Sequence, residues 1–317
     1  MRATQMIRAG LTAIALLATN AATAQESYQF QWPDNPFAPT LSDDLFAPTN
    51  ESRFNKAGRV LVESLGGIDH EMFQIASYPL RDPATFGAFA LGIGGLMLVD
   101  RQTTTAYQEI FPPIGEQLGL PSLTNISFLT ADEEWTAAAM LGTYAYGIAA
   151  NDERAQVAAL LSAKAVAYSY LTSHIILKAA LGRKRPVKDL AGHSGDAGVY
   201  TTEPFDFFNW NGIHLNSTAA ATGMPSYHFT MYFATARVYS GVYDNYLIPY
   251  ALAGALALQS AEGHNHWVSD MVAGALIGTG IGNVVLNSYE DRKRESLGTF
   301  TPMVSSEGVG LNWQMSF

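Results

Sequence analysis

Residues 155–186 read AQVAALLSAKAVAYSYLTSHIILKAALGRKRP, and their reading decides the fold. The segment 155–182 has the length and Ala/Leu-rich composition of a helix, and Pro186 supplies a stop. Lys178 and Arg185 are seven apart. On a helix that continues that far the spacing is two turns, which puts both cations on one face. Arg183, Lys184 and Lys188 stand close by, so a basic cluster interrupts an otherwise acidic chain. Such a cluster implies a local anion site, because Arg offers a rigid donor fork to phosphate and Lys a point charge. The plain structural reading is a solvated basic helix end favoured by the helix dipole.

Outward from this stretch, helix-like segments continue at roughly 56–66, 84–99, 135–150, 227–243, 246–261 and 267–289. Pro, Asp, Asn and Gly separate them, and no run of alternating strands links them. The expected fold class is therefore all-α, a helical bundle over 56–290. The tail, 291–317, changes period: Leu311, Trp313, Met315 and Phe317 alternate with Asn312, Gln314 and Ser316. That is a strand signal, and Phe300–Val304 can pair with it in a short C-terminal β-hairpin. Residues 25–55, with Pro33, Pro36, Pro39 and Pro48, read as an extended acidic arm.

Composition narrows the function classes. The 317 residues include 18 Lys and Arg, 28 Asp and Glu and no Cys, with 48% hydrophobic and 15% charged residues. A disordered chain needs the opposite balance. A net charge of −10 disfavours nucleic acid as a partner. Residues 1–24 have the form of a secretory signal peptide: Arg2 and Arg8, the apolar run Gly10–Ala18, and Ala22-Thr23-Ala24 before Gln25. The expected location is the periplasm or cell envelope. Windows 83–99, 245–261 and 271–289 carry no charge, yet they are Gly-rich and short of a clear span. A soluble or membrane-peripheral domain is the favoured reading and an integral one the alternative.

Two further patterns carry chemistry. Pro225-Ser226-Tyr227-His228 opens an apolar helical segment. A helix N-terminus with free N–H groups and a hydroxyl is an anion cradle, and His228 in its first turn can donate a proton. His266 and Asp270 have i,i+4 spacing, at which side chains face each other on a helix. A carboxylate on one imidazole nitrogen fixes the tautomer and leaves the other nitrogen as nucleophile or base. Each pattern alone also fits an ordinary helix start or a structural His–Asp pair.

Taken together, Lys178-x6-Arg185-Pro186, then Pro225-Ser226-Tyr227-His228, then His266-x3-Asp270 resemble the signature of the type 2 phosphatidic acid phosphatase/vanadium haloperoxidase superfamily. The resemblance covers about Ala84 to Tyr289. It implies a helical bundle of that kind and a phosphatase acting on a phosphorylated small molecule or lipid. It assigns phosphate binding to Lys178, Arg185, Ser226 and Tyr227, and leaving-group protonation to His228. His266, assisted by Asp270, would attack phosphorus and form a phospho-histidine. No metal or cofactor is needed for that route. Within the same resemblance stand a vanadate-dependent haloperoxidase, a lipid phosphotransferase and a non-catalytic phosphate- or lipid-binding protein.

Two positions depart from the signature. Tyr227 stands where it has Gly, and Ser260 where it has an Arg six residues before the nucleophile. Arg183, Lys184, His264 and Arg237 are the candidate replacement cations. The segment Val187–Met224 is long for a loop and holds Phe205, Phe207, Phe208 and Trp210, which either face lipid or pack back on the bundle. His174, one turn before Lys178, reads as a core or supporting residue. His193 and His214 lack metal-ligand spacing, so no zinc site is assigned.

Overall fold

The computed structural model describes residues 40–46, 49–117, 132–192, 200–210, 212–213, 215, 222–260, 266–297, 299–305 and 308–314. Short polar side chains start several helices by accepting first-turn N–H groups. Ser52 caps α1 (Arg53–Leu65), Asp82 caps α3 (Pro83–Met97) and Asp152 caps α6 (Glu153–Ser169). Between them lie α2 (Ile68–Arg81), α4 (Asp100–Gln117) and α5 (Asp132–Ala150). Helix α6 widens into a π-helical segment, Tyr170–Leu177, and ends in one α-helical turn, α7 (Lys178–Leu181). Two-residue strands β1 (Arg185–Pro186) and β2 (Tyr200–Thr201) pair in parallel. Helices α8 (Tyr227–Tyr243), α9 (Leu247–Ser260) and α10 (Val268–Leu297) follow. An antiparallel hairpin closes the order, β3 (Thr299–Ser305) with β4 (Gly308–Gln314), from Thr299 opposite Gln314 to Ser305 opposite Gly308.

The architecture is all-α with a C-terminal hairpin, as the sequence implies. Two helices escape the sequence reading. Helix α2 carries Pro79, and α4 carries a Thr103–Thr105 run and Pro112-Pro113, which are poor helix formers. Helix α10 runs past the expected end near 289, held there by charge pairs such as Arg294 with Glu290 rather than by apolar periodicity. One expectation is overturned. The helix ends at Leu181, where Gly182 turns left-handed at φ 53° and closes the last turn. Lys178 and Arg185 therefore share no helix face; Arg185 sits on an extended segment beside Tyr200.

The core lies among α6, α8 and α10. Val157, Leu161 and Ala165 of α6 meet Ala234, Val238 and Val242 of α8 and Ile281, Val285 and Leu286 of α10. Leu41 and Leu45, from the described part of the N-terminal arm, join the same cluster. A stripe of glycines brings α8 and α10 together. A Cβ on Gly274 would stand 2.4 Å from the Ser226 carbonyl, one on Gly278 2.2 Å from that of Thr230, and one on Gly282 2.7 Å from Arg237 Cβ. Only hydrogen fits there, so the backbones touch and the N-termini of the two helices stay side by side.

At the far end of α10 the buried charges are matched. Glu71 accepts from Lys164 at 2.7 Å, Tyr168 at 2.6 Å and Arg292 at 3.2 Å. Arg59 pairs with Glu51, Glu63 and Glu153, and Lys293 with Glu63 and Glu153. By length and composition the Val268–Ser296 helix could cross a membrane, though half of its most apolar stretch is buried inside the protein. Helices α3 and α4 pass the same test only as a pair, bent by 71°. The expected signal peptide lies outside the described residues.

Candidate active site

Two helix N-termini define the site. Ser226 precedes α8 in extended conformation, and its N–H donates to the Asp270 carbonyl in the first turn of α10 at 3.0 Å. The α8 terminus has no side-chain cap, so its first-turn N–H groups and partial positive charge favour an anion, whereas at α10 the N–H groups of Trp267, Val268 and Ser269 are taken by Asp270, Thr104 and Asp100. Gly223 passes so close that a Cβ there would lie 2.5 Å from Asp270 Oδ2 and 3.6 Å from Arg185 Cγ. Chain entry into α8 is thereby packed against both the acid and the cation.

Two cations converge on this place. Lys178, only 4% exposed, comes from α7. Burial, with help from the Arg185 charge, pushes its ammonium down to about 7, while Asp270 and Glu133 act in the opposite direction. Arg185 is also pushed below its ordinary range by burial. Its Nε and the Ser226 hydroxyl are buried without a hydrogen-bond partner. Buried polar groups are usually satisfied, so two unpartnered donors beside two buried cations call for an explanation.

His266 and Asp270 come together, though not as successive turns of one helix. His266 precedes α10, and its Nδ1 lies 3.6 Å from Asp270 Oδ2. The same oxygen accepts the Trp267 N–H at 3.2 Å, the backward reach of a capping box. Asp270 Oδ1 accepts from Arg183 Nη1 at 2.5 Å. Arg183 is fully buried and spends every guanidinium nitrogen inside the protein: Nε on the Pro204 carbonyl, Nη1 on Ser269 and Asp270, Nη2 on Asp100 at 2.7 Å. Asp100 also accepts the Ser269 N–H at 2.9 Å and its hydroxyl. Burial raises the Asp270 carboxyl to about 6; Arg183 pulls it down and the Asp100 charge adds to the rise.

His228 Nε2 stands 3.1 Å from Glu133 Oε1 at the start of α5. Tyr227 turns its ring toward His174 and Tyr170, with centroids at 5.6 and 5.7 Å. His174 stacks on Tyr170 at 4.9 Å, within the π-helical segment that delivers Lys178. Among the described residues no cluster of His, Asp and Glu has the arrangement of a metal site.

Residues 156–294 match the family model of the PAP2 superfamily. The match covers less than half of the chain. No curated protein and no solved structure matches the chain. The match points to phosphatase or related phosphoester chemistry. The PAP2 region holds Lys178, Arg183, Arg185, Ser226, Tyr227, His228, His266 and Asp270, whereas Asp100 and Glu133 lie N-terminal to it.

The replacement cations fare differently. Arg183 cannot stand in for an Arg at Ser260, because two buried carboxylates occupy it. Lys184 pairs with Asp206 at 3.1 Å. Arg237 sits eleven residues along α8 from Ser226, roughly 16 Å away, and donates to Asn283 across the helix pair. His264, like His193 and His214, lies outside the described residues. The sequence reading missed Asp100 and Glu133 altogether; nothing in a single acid near a helix start marks it as part of a site. The aromatic loop divides. Phe207 packs with Ile93 and Met224 and lies 5.1 Å from the Arg183 guanidinium, whereas Phe205, Phe208 and Trp210 are exposed.

Proposed function

We propose that the protein is an exported, envelope-located phosphatase that hydrolyses a phosphomonoester, a lipid phosphate by preference, through a phospho-histidine on His266. The observation that carries this reading is two buried cations gathered beside an uncapped helix start. Lys178, Arg185 with its unpartnered Nε, the Ser226 hydroxyl and the N-terminus of α8 suit a phosphoryl group, whose charge must be stabilised as it transfers.

The residues divide the work as follows. Asp270 faces His266 Nδ1, so Nε2 keeps the lone pair that attacks phosphorus. As the P–N bond forms, the ester P–O bond breaks, and His228 gives its proton to the departing oxygen. Water then attacks phosphorus, His228 takes a proton from it, and the P–N bond breaks to release phosphate and His266. Arg183 and Asp100 hold Asp270 in place throughout. Tyr227 keeps the backbone N–H that the cradle needs, and its ring packs away toward His174 and Tyr170.

Membrane contact belongs to the same reading. It is supported by the uncharged helix α3, which exposes Phe86 and Leu91, and by Phe205, Phe208 and Trp210 on the loop after Arg185. The test is phosphate release by the purified protein in mild detergent with EDTA, on phosphatidic acid and an aryl phosphate in parallel. Turnover that disappears in His266→Ala, with a higher rate on the lipid, is expected. Phosphate release that survives His266→Ala would overturn the mechanism, and a preference for the aryl ester would overturn the lipid assignment.

A further inference from the structure

The two site histidines each face a carboxylate, but the carboxylates come from different parts of the chain. Asp270 is four residues from His266. Glu133 is 95 residues from His228 and outside the PAP2 region, in the first turn of α5. The contact, Nε2 to Oε1 at 3.1 Å, is as short as an ordinary hydrogen bond. Glu133 is not a remote surface acid: its charge also acts on the buried Lys178 ammonium and the buried Tyr227 hydroxyl. Its side chain is 31% exposed and that of His228 10%, so the pair is partly open to solvent, into which a leaving alcohol would depart.

We infer that Glu133 is the positioning residue of the leaving-group acid: it engages one nitrogen of His228, favours the imidazolium, and turns the other nitrogen toward the ester oxygen. This rests on the phosphatase reading above. The chemistry balances without a proton reaching Glu133. His228 loses its proton to the leaving oxygen and regains one from the attacking water, while the carboxylate stays charged and offsets the cation that forms between turnovers. A carboxylate next to an imidazole lowers the energy of its charged form. Among the described residues, the groups facing this pair include Tyr227 and Tyr232 of α8, whose rings lie 5.5 and 6.3 Å from that of His228, and Lys178 from α7. The device differs from that at His266, where Asp270 is shared with Arg183 and its charge is divided.

A leaving group that departs without a proton exposes the role. Glu133→Gln keeps the shape and removes the charge. On a nitrophenyl phosphate, whose leaving group is stable as an anion, the variant should hold kcat/KM, which reports the steps up to leaving-group departure, within about threefold of the native protein. On an alkyl phosphate it should lose roughly tenfold to a hundredfold, the usual share of general-acid catalysis. A merely structural role would lower both rates alike. Equal losses, no loss on the alkyl ester, or a gain on both (a carboxylate that competes with phosphate) would each overturn the inference. The second readout needs no turnover: ring 15N signals of His228 near neutral pH should show a smaller cationic fraction in Glu133→Gln than in the native protein. An unchanged fraction would overturn the inference even if the native protein released no phosphate, an outcome that would count against the phosphatase reading itself.

Discussion

The two ends of α10 handle buried charge in opposite ways. Around Ser288–Lys293, Glu71 has three donors and Arg59 three carboxylates, so each buried charge is answered by the protein. Around His266–Asp270, the carboxylates are answered by Arg183, but among the described residues Lys178 forms no ion pair and the Arg185 Nε has no partner. A fold keeps unpaired buried donors at a cost in stability, since each costs about 1–3 kcal/mol. The difference separates charges that hold the fold from charges kept for a ligand.

Mutation should separate the two ends cleanly. Glu71→Ala strands Lys164, Tyr168 and Arg292 and should lower stability by about 3–5 kcal/mol, the usual result of breaking a buried pair from one side. Denaturant unfolding measures this, and kcat of the still-folded fraction should be unchanged. A small loss, or a fall in kcat, would break the contrast. Lys178→Met should do the reverse. Stability should hold or rise, because a desolvated charge is replaced by an apolar chain of similar length, while phosphate or vanadate affinity should drop roughly tenfold to a hundredfold, equivalent to a charge-assisted hydrogen bond. Calorimetric titration and a melting curve on the same sample decide it.

The glycine stripe connects the ends, and it sharpens the comparison. Gly278→Ala forces a methyl to within 2.2 Å of the Thr230 carbonyl unless the helices part. Overpacking of this kind costs about 1–3 kcal/mol. It should also lower anion affinity, because α8 and α10 then no longer align Ser226 with Asp270; an affinity equal to the native value would detach the stripe from the site.

The smallest effect is one of pH. Lys178 titrates near 7 when the pocket is empty, and an anion must find it charged. Affinity should therefore fall as pH rises above about 7, by up to roughly tenfold per unit for one linked proton. Stability moves the other way. The folded chain holds fewer protons than the unfolded one between about 7 and the ordinary lysine range, so this group's contribution rises with pH there. A flat affinity profile across pH 7 to 9 would contradict the assignment of Lys178 to the cradle.

Much of this was legible in the sequence. Apolar composition and Pro/Gly punctuation mark α8 to within its observed ends, and the ordered His, Lys, Arg and Ser positions do gather at one place. What could not be read was long-range. Gly182 ends the helix before Arg185, so the two cations meet through a left-handed turn and a short parallel pairing rather than by helical spacing. Asp100 and Glu133 reach the site from helices far away in sequence, and no local pattern announces them. The Gly274-x3-Gly278-x3-Gly282 spacing was visible but carries meaning only once its partner helix is known. Arg183 illustrates the limit most clearly: as a lone cation near the motif it resembles a phosphate ligand, and its burial between Asp100 and Asp270 makes it a support instead.

The measurement that tests the central claim most directly is calorimetric titration of the purified protein, stripped of metals and then freed of chelator, with vanadate, a phosphate mimic, at pH 6.5. The account predicts one saturable site per chain. Affinity should be weakened at least about tenfold by Lys178→Met or by Ser226→Ala and left unchanged by Glu71→Ala in the folded protein. No binding by the native protein, or binding indifferent to Lys178 and Ser226, would contradict it.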